Sequence, residues 1–303
     1  MFVSSIKLRS PIIYINDIKK QYKLNLKREC NFDSPQLFTE KIQWLKVYDS
    51  IPEKSICADK VLLRDYSKNI LGFNPCPKIY NVYNSPEAIE TNALPKTCIL
   101  KCNHGYNMNL VLNNRTMTAD EFDKLKEWYN TDFSLQLYEF HYHKIKHKIF
   151  TEELLDIKSE FKVYCFNGSP KYADCIFYDD FKNTLYKDCA EYKRVWSRHD
   201  AIIDLNFNLI DKWQFNVERP NYNEHKYLKH NYKKYFTPEY TNILTIAKQL
   251  SQKFKFVRVD FYNTTNDNIY LSEMTFTPSA GYIHLNSIET DYQIGQLLNV
   301  NNT

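Results

Sequence analysis

Apolar residues recur along this chain with two periods, one of strands and one of helices. In FKFVRVDFY (254–262) they alternate with polar ones, and after a polar turn NIYLSEMTFTPSAG (268–281) continues the alternation. Read as a hairpin, the alternation places Arg258, Asp260 and Tyr262 on one face of the first strand. It places Glu273 and Thr275 on a face of the second strand shared with Ile269 and Leu271. FKVYCF (161–166) and KYADCIFY (171–178) are two more strands, joined by the turn Asn167-Gly168-Ser169-Pro170. KIYNV (78–82) and TCILKC (97–102) are short strands on either side of a proline-marked, turn-rich segment.

The helical period predicts helices over 39–47 and 55–70, the second with Lys60 and Arg64 four apart on one face. Thr118 and Glu121 form a capping box ahead of Phe122, Leu125 and Tyr129. Thr237-Pro238 opens a helix whose buried stripe is Ile243, Ala247, Leu250 and Phe254. Residues 180–236, rich in Tyr, Asn and Lys, carry the weakest periodicity. Strands, helices and hairpins in this order predict an α+β protein.

Composition narrows the function classes. At 303 residues the chain can bury a substantial core, and 16% aromatics with five glycines argue against disorder. A net charge of +4 suits small anionic ligands and is too weak to argue for nucleic acid. The eight cysteines show no zinc-type spacing, so reduced structural thiols in a cytoplasmic protein are expected. The apolar run at 12–15 is far too short to span a bilayer, and no membrane anchor is expected.

The candidate chemistry lies in the last hairpin. Two carboxylates and a guanidinium among strong strand formers are costly to bury unpaired. A divalent cation with phosphates completing its shell would compensate them, because hard oxygen ligands suit Mg²⁺. A structural Arg–Asp pair beside a half-exposed glutamate is the alternative on this hairpin alone. Lys101 ends an apolar strand and precedes Asn103-His104-Gly105, a loop whose backbone amides could face phosphates. His141, His143 and His147 interleave with Lys144, Lys146 and Lys148. Local positive charge opposes metal binding there, and a solvated strand partly facing phosphate is the expectation.

The pattern R-x-D-x-Y … E-x-T-x-x-P-x-x-G over 258–281 resembles the C-terminal signature of ATP-grasp enzymes, and more narrowly their TupA-like branch. Asp59-Lys60 with Arg64 and Tyr66, LPKTCILKCNHG (94–105), EFHYHKIKHKIFTEELL (139–155) and FKVYCFNGSPK (161–171) follow the family's order over roughly 39–298. The resemblance implies an ATP-grasp fold, with ATP held between two α+β subdomains behind a small N-terminal one. Its expected boundaries are 1–75, 76–155 (the lid with the phosphate loop) and 156–303 (the large subdomain with the metal site).

It further implies that Lys60 and Lys101 reach ATP phosphates and that His104 and Gly105 line the phosphate loop. Glu152, Glu153 and Leu155 would meet the adenine edge, with Asp156 or Glu160 near the ribose. Lys162 would point to the phosphates or the acyl substrate. Asp260, Glu273 and Thr275 would hold Mg²⁺, as two ions, and Arg258 with Lys60 would offset charge on the transferring phosphoryl group. Thr275 stands where ATP-grasp enzymes at large have asparagine, as the narrower branch tends to. One departure from the family stands out: Tyr106-Asn107-Met108-Asn109 lacks a second glycine.

The implied activity is a carboxylate–amine ligase joining an amino acid or amine to a uronic-acid-type carboxylate of a surface polysaccharide. A sugar-modifying enzyme of glycosyltransferase type, or an ATP-grasp protein that binds nucleotide without turnover, are the alternatives. Residues 180–236 are the expected seat of substrate selectivity.

Overall fold

The computed structural model describes residues 10–178, 198–213, 225–227 and 239–300. Helices α1 (Ile15–Leu26), α2 (Phe38–Tyr48), α3 (Pro52–Ala58) and α4 (Leu62–Leu71) come first. A four-stranded antiparallel sheet follows, in the order β1 (Ile79–Tyr83), β4 (Ile149–Glu152), β2 (Thr97–Cys102), β3 (Asn109–Asn113). Helices α5 (Ala119–Asn130) and α6 (Phe133–Gln136) lie in the chain between β3 and β4. The capping box appears as predicted, with Thr118 and Glu121 each accepting from the other's backbone N–H.

A second sheet of six strands carries most of the core. Its order is β10 (Ile269–Thr275), β9 (Phe256–Thr264), β5 (Ile157–Phe166), β6 (Ser169–Tyr178), β7 (Arg198–Asp204), β8 (His225–Tyr227). All its pairings are antiparallel except β7 with β8. The β5–β6 hairpin turns on Asn167 and Gly168, both at positive φ (48° and 75°), as a tight two-residue connection requires. Helix α7 (Glu239–Ser251) covers one face. Ile243, Ala247 and Leu250 of α7, with Phe254 just beyond it, pack on Phe161, Val163, Cys165, Val257, Val259 and Phe261. Thr237 and Pro238, the predicted start of that helix, lie outside the described residues.

The other face is mixed. Phe38 and Ile42 of α2 cover its far end, over Tyr164, Phe166, Tyr172 and Phe256. Nine of the eleven α2 residues are buried, polar ones included, so the helix needs partners all round. Lys41 donates to Gly295 O and Leu298 O, both at 2.8 Å, and Glu40 accepts from the amides of Asn31, Gln36 and Leu37. The rest of that face, uncovered by α2, carries the charged side chains. Helix α8 (Ile288–Gly295) closes the chain against α2, where Asp291 is held by Arg28 and Thr39.

Three expectations need correction. The predicted helix over 55–70 is two helices, α3 and α4. Asp59 breaks it by turning its carboxylate back onto the amides of Val61 (2.8 Å) and Leu62 (3.2 Å), an alternative to helical hydrogen bonding. Strict alternation does not hold on β10. A bulge at Ser272 pairs Leu271 with Phe261 on the core face but Glu273 with Asp260 on the open face. The His/Lys-rich run is not a strand. It forms a short 3₁₀ turn at Phe140–Tyr142 and a loop, and β4 starts only at Ile149.

Candidate nucleotide and metal site

Register assembles the site row by row. On the open face of the large sheet, Asp174, Lys162, Asp260 and Glu273 face one another across β6, β5, β9 and β10. The next row reads Tyr172, Tyr164, Arg258, Thr275. Residues two apart on one strand thus bring Arg258 beside both carboxylates. Its guanidinium donates to Asp260 at 2.7, 3.0 and 2.5 Å, to Glu273 at 3.5 Å and to Thr275 at 3.2 Å. The Thr275 hydroxyl donates in turn to Glu273 at 3.3 Å.

The two carboxylates differ in environment. Asp260 is buried, and burial pushes its pKa up to about 7 against the pull of Arg258. The Glu273 side chain is about one-third exposed. Burial works against its charge as well, but Lys60, then Arg258 and Lys162, prevail and hold it below the ordinary carboxylate range.

Lys60 joins the two halves of the site. Its ammonium donates to Gly105 O at 2.5 Å and stands 3.9 Å from Glu273, while burial lowers its pKa. Asn103, fully buried, fixes this geometry. Its carbonyl accepts from the Lys60 amide (3.0 Å), its side chain donates to Asp59 (2.8 Å), and its amide oxygen accepts from Lys148 N (2.8 Å). The sequence placed Asn103 in the loop for its backbone alone and gave neither the anchoring role of its side chain nor the capping role of Asp59. The only signal was an Asn directly after the strand that carries Lys101.

Lys101 and Arg64 both close on Glu152, each on a different carboxylate oxygen, and all three side chains are largely buried. Lys101 therefore belongs to an ion-pair cluster, not to a solvated strand end. Leu155 is buried, Glu153 half-buried, and the Glu153 amide donates to Lys78 O at 2.9 Å. Lys162 stands 3.7 Å from Glu160, which also accepts from Tyr178. Asp156 is exposed and tied to Thr265 at 3.1 Å.

The loop after β2 solves its missing glycine with an asparagine. Gly105 has φ 86° and Asn107 φ 57°, and asparagine is among the residues that tolerate the left-handed region. A Cβ on Gly105 would stand 2.3 Å from the Phe133 ring. The His104 imidazole is buried and stacked on His147 with centroids 3.5 Å apart. Burial, then His147 and Lys60, push its pKa down to about 3, so the ring is uncharged at neutral pH. His104 can therefore meet a phosphate through its backbone or a neutral ring N–H, and not as a cation.

A family model described as TupA-like ATP-grasp matches residues 40–299. The chain belongs to the TupA-like ATP-grasp family. Solved structures of similar fold include an L-amino acid ligase from Bacillus licheniformis (11% identity, 88% of this chain and 55% of that one, TM-score 0.46). Others are the ATP-grasp ligase PsnB with a phosphomimetic precursor variant, Mg and ADP (14%, 78% and 58%, TM-score 0.40) and the ADP complex of purK, an N5-carboxyaminoimidazole ribonucleotide synthetase (14%, 78% and 50%, TM-score 0.37). The chain spans between half and three-fifths of the length of these proteins. No curated protein matches it.

For a TupA-like ATP-grasp chain, the donor set can be tested against ATP and Mg²⁺. Among the described residues no group of three or more His, Cys, Asp or Glu side chains converges. The hairpin instead offers two carboxylates and a hydroxyl, a hard-oxygen set that leaves most of an octahedral shell to phosphates and water. Lys60 and Lys101 are compact ammonium groups suited to phosphate oxygens. The set fits a metal–nucleotide pair better than a free metal ion.

Proposed function

We propose that this protein is an ATP- and Mg²⁺-dependent carboxylate–amine ligase working through an acyl phosphate. The observation that carries the reading is the Arg258–Asp260–Glu273–Thr275 cluster with Lys60 bridging from the phosphate loop to Glu273. Asp260, Glu273 and Thr275 would hold one or two Mg²⁺ ions, which supply charge neutralisation for the triphosphate. Lys60, Lys101, Lys162 and the backbone of His104 and Gly105 would bind its phosphates. Glu152, Glu153 and Leu155 would meet the adenine edge. With Glu152 already gripping Lys101 and Arg64, its first task would be to place the Lys101 ammonium.

In the proposed reaction a substrate carboxylate oxygen attacks the γ-phosphorus and the bond to the β-bridging oxygen breaks, releasing ADP. Arg258 and Lys60 offset the charge on the phosphoryl oxygens in flight. The amine then attacks the acyl carbon, loses a proton and expels phosphate, leaving an amide. Positioning and electrostatics do the chemistry, so no activated nucleophile is required of the protein.

The assignment of 1–75, 76–155 and 156–303 as subdomains, and of a uronic-acid-bearing glycan as the carboxylate, belongs to the same proposal. The second is supported by the family resemblance. The region proposed for selectivity, 180–236, lies largely outside the described residues. Among the described residues no helix is long and apolar enough to cross a membrane.

Calorimetric titration with a non-hydrolysable ATP analogue and Mg²⁺ tests the reading. The wild type should bind, and Lys101→Ala and Glu273→Gln should each weaken binding by about tenfold or more, the worth of a charged hydrogen bond. A folded wild type that does not bind the analogue would sink the ligase and bring sugar nucleotides forward.

A further inference from the structure

Two cations share one buried carboxylate where α4 meets the four-stranded sheet. Lys101 of β2 and Arg64 of α4 each donate to a different oxygen of Glu152 on β4. The three side chains are 13, 12 and 6% exposed in that order. A lone lysine on so deeply buried a carboxylate is a neutral pair, and a second anion has to compete with the first for its ammonium. With Arg64 on the other oxygen, the cluster carries one net positive charge. The Lys101 ammonium has three N–H donors, of which Glu152 takes one.

Arg64 itself is fixed by further contacts. Its Nη1 donates to Lys60 O, and its Nη2 donates to Pro77 O at 3.3 Å as well as to Glu152. The Nε atom is enclosed without a hydrogen-bond partner, and the guanidinium carbon stands 5.3 Å from the centre of the Phe150 ring. A planar fork can hold a carboxylate and two carbonyls in set directions, which a lysine cannot. The bond to Lys60 O has a second consequence. The Lys60 amide is held by Asn103 O at 3.0 Å, so both peptide groups beside Lys60 are fixed. One guanidinium thus reaches both lysines of the site, Lys60 through its main chain and Lys101 through Glu152.

We propose that Arg64 is a positioning residue that occupies Glu152 and so leaves the Lys101 ammonium available to the triphosphate. It acts through the charge balance of the cluster and not by touching the nucleotide. A plain tie between α4 and β4 is the alternative role of the same ion pair. The inference rests on the ligase reading above, in which Lys101 meets ATP phosphates.

Calorimetric titration of the full chain with the non-hydrolysable ATP analogue and Mg²⁺ tests it, with urea unfolding of each variant beside it. Arg64→Met should weaken the analogue by about tenfold or more, because the triphosphate then competes with Glu152 for Lys101. Glu152→Gln keeps the side chain's shape and removes its charge. Alone or added to Arg64→Met, it should hold affinity within about threefold of the wild type. A plain tie predicts otherwise, since removing the second partner cannot repair its loss. The double variant leaves no buried carboxylate short of a partner, so it tests the inference even where Arg64→Met does not fold. Arg64→Met that binds as the wild type does, or a folded double variant still weakened tenfold, would overturn the inference. A folded wild type that does not bind the analogue would instead remove the ligase reading on which it rests.

Discussion

Single residues in the loop after β2 show how backbone conformation shapes the candidate site. Gly105 combines positive φ with a Phe133 ring where a side chain would go, so Gly105→Ala is strained twice over. We expect a loss of about 1–3 kcal/mol in urea unfolding, together with weaker binding of the ATP analogue. Adding Phe133→Ala should restore neither in full, because the φ penalty survives once the ring is gone. Asn107 already occupies the left-handed region that glycine enters most readily. Asn107→Gly should therefore change stability by less than about 1 kcal/mol. A large gain in analogue affinity in that variant would show that the asparagine loop is a handicap and not an equivalent solution.

Two element-scale devices set the positions of the charged groups. The break between α3 and α4 is one. Asp59 caps α4 and ties it to Asn103, and this is what aims Lys60 at Gly105 in the loop after β2. Asp59→Ala should cost about 1–2 kcal/mol of stability, as helix caps do, and weaken the analogue through a misplaced Lys60. The bulge on β10 is the other. Deleting Ser272 makes Leu271 and Glu273 neighbours, which regular pairing sends to the same opposite faces that the bulge gives them, whereas Ser272 kept in a regular strand would put both on one face. The deletion variant should therefore keep Mg²⁺-dependent analogue binding, measured by calorimetry. Loss of binding by a folded variant would mean that the bulge sets more than the phase of the strand.

At the scale of the whole molecule, burial of so many tyrosines and thiols sets the response to alkali. Burial raises Cys30 and Cys102 from 9.0 to about 12, Cys76 to about 11 and Tyr22 from 10.0 to about 12. Tyr164, Tyr172, Tyr240 and Tyr262 are raised further. These groups stay protonated in the folded chain at pH values where the unfolded chain has released its protons. Their contribution is thus complete below about pH 9 and is lost as pH rises through the folded values. Lys46, lowered to about 7 by burial, and Lys41, Lys54 and Lys60, also lowered by burial, act in the opposite sense below the ordinary lysine value of 10.5, but the raised tyrosines and thiols outnumber them. Urea midpoints should therefore fall steadily above about pH 9. A flat profile to pH 11 would mean that these side chains are not buried as described.

Much of this was legible in the chain because it follows from local periodicity and from pairs of residues close in sequence. The β5–β6 hairpin, the α5 capping box and the apolar stripe of α7 needed only strand alternation, turn chemistry and helical spacing. The grouping of Arg258 with Asp260 is likewise a property of alternation on one strand. What tertiary structure alone decided are the relations that alternation cannot carry. A bulge changes the phase of a strand, so Glu273 meets Asp260 while Leu271 turns to the core. Partners such as Glu152 for Lys101 and Arg64, or Asn103 for Asp59, lie on separate elements, 51, 88 and 44 residues apart, and only folding brings them together. A run of histidines and lysines reads as solvated on charge alone. Packing of the Phe140–Tyr142 turn against α2 and α3 is what half-buries His141.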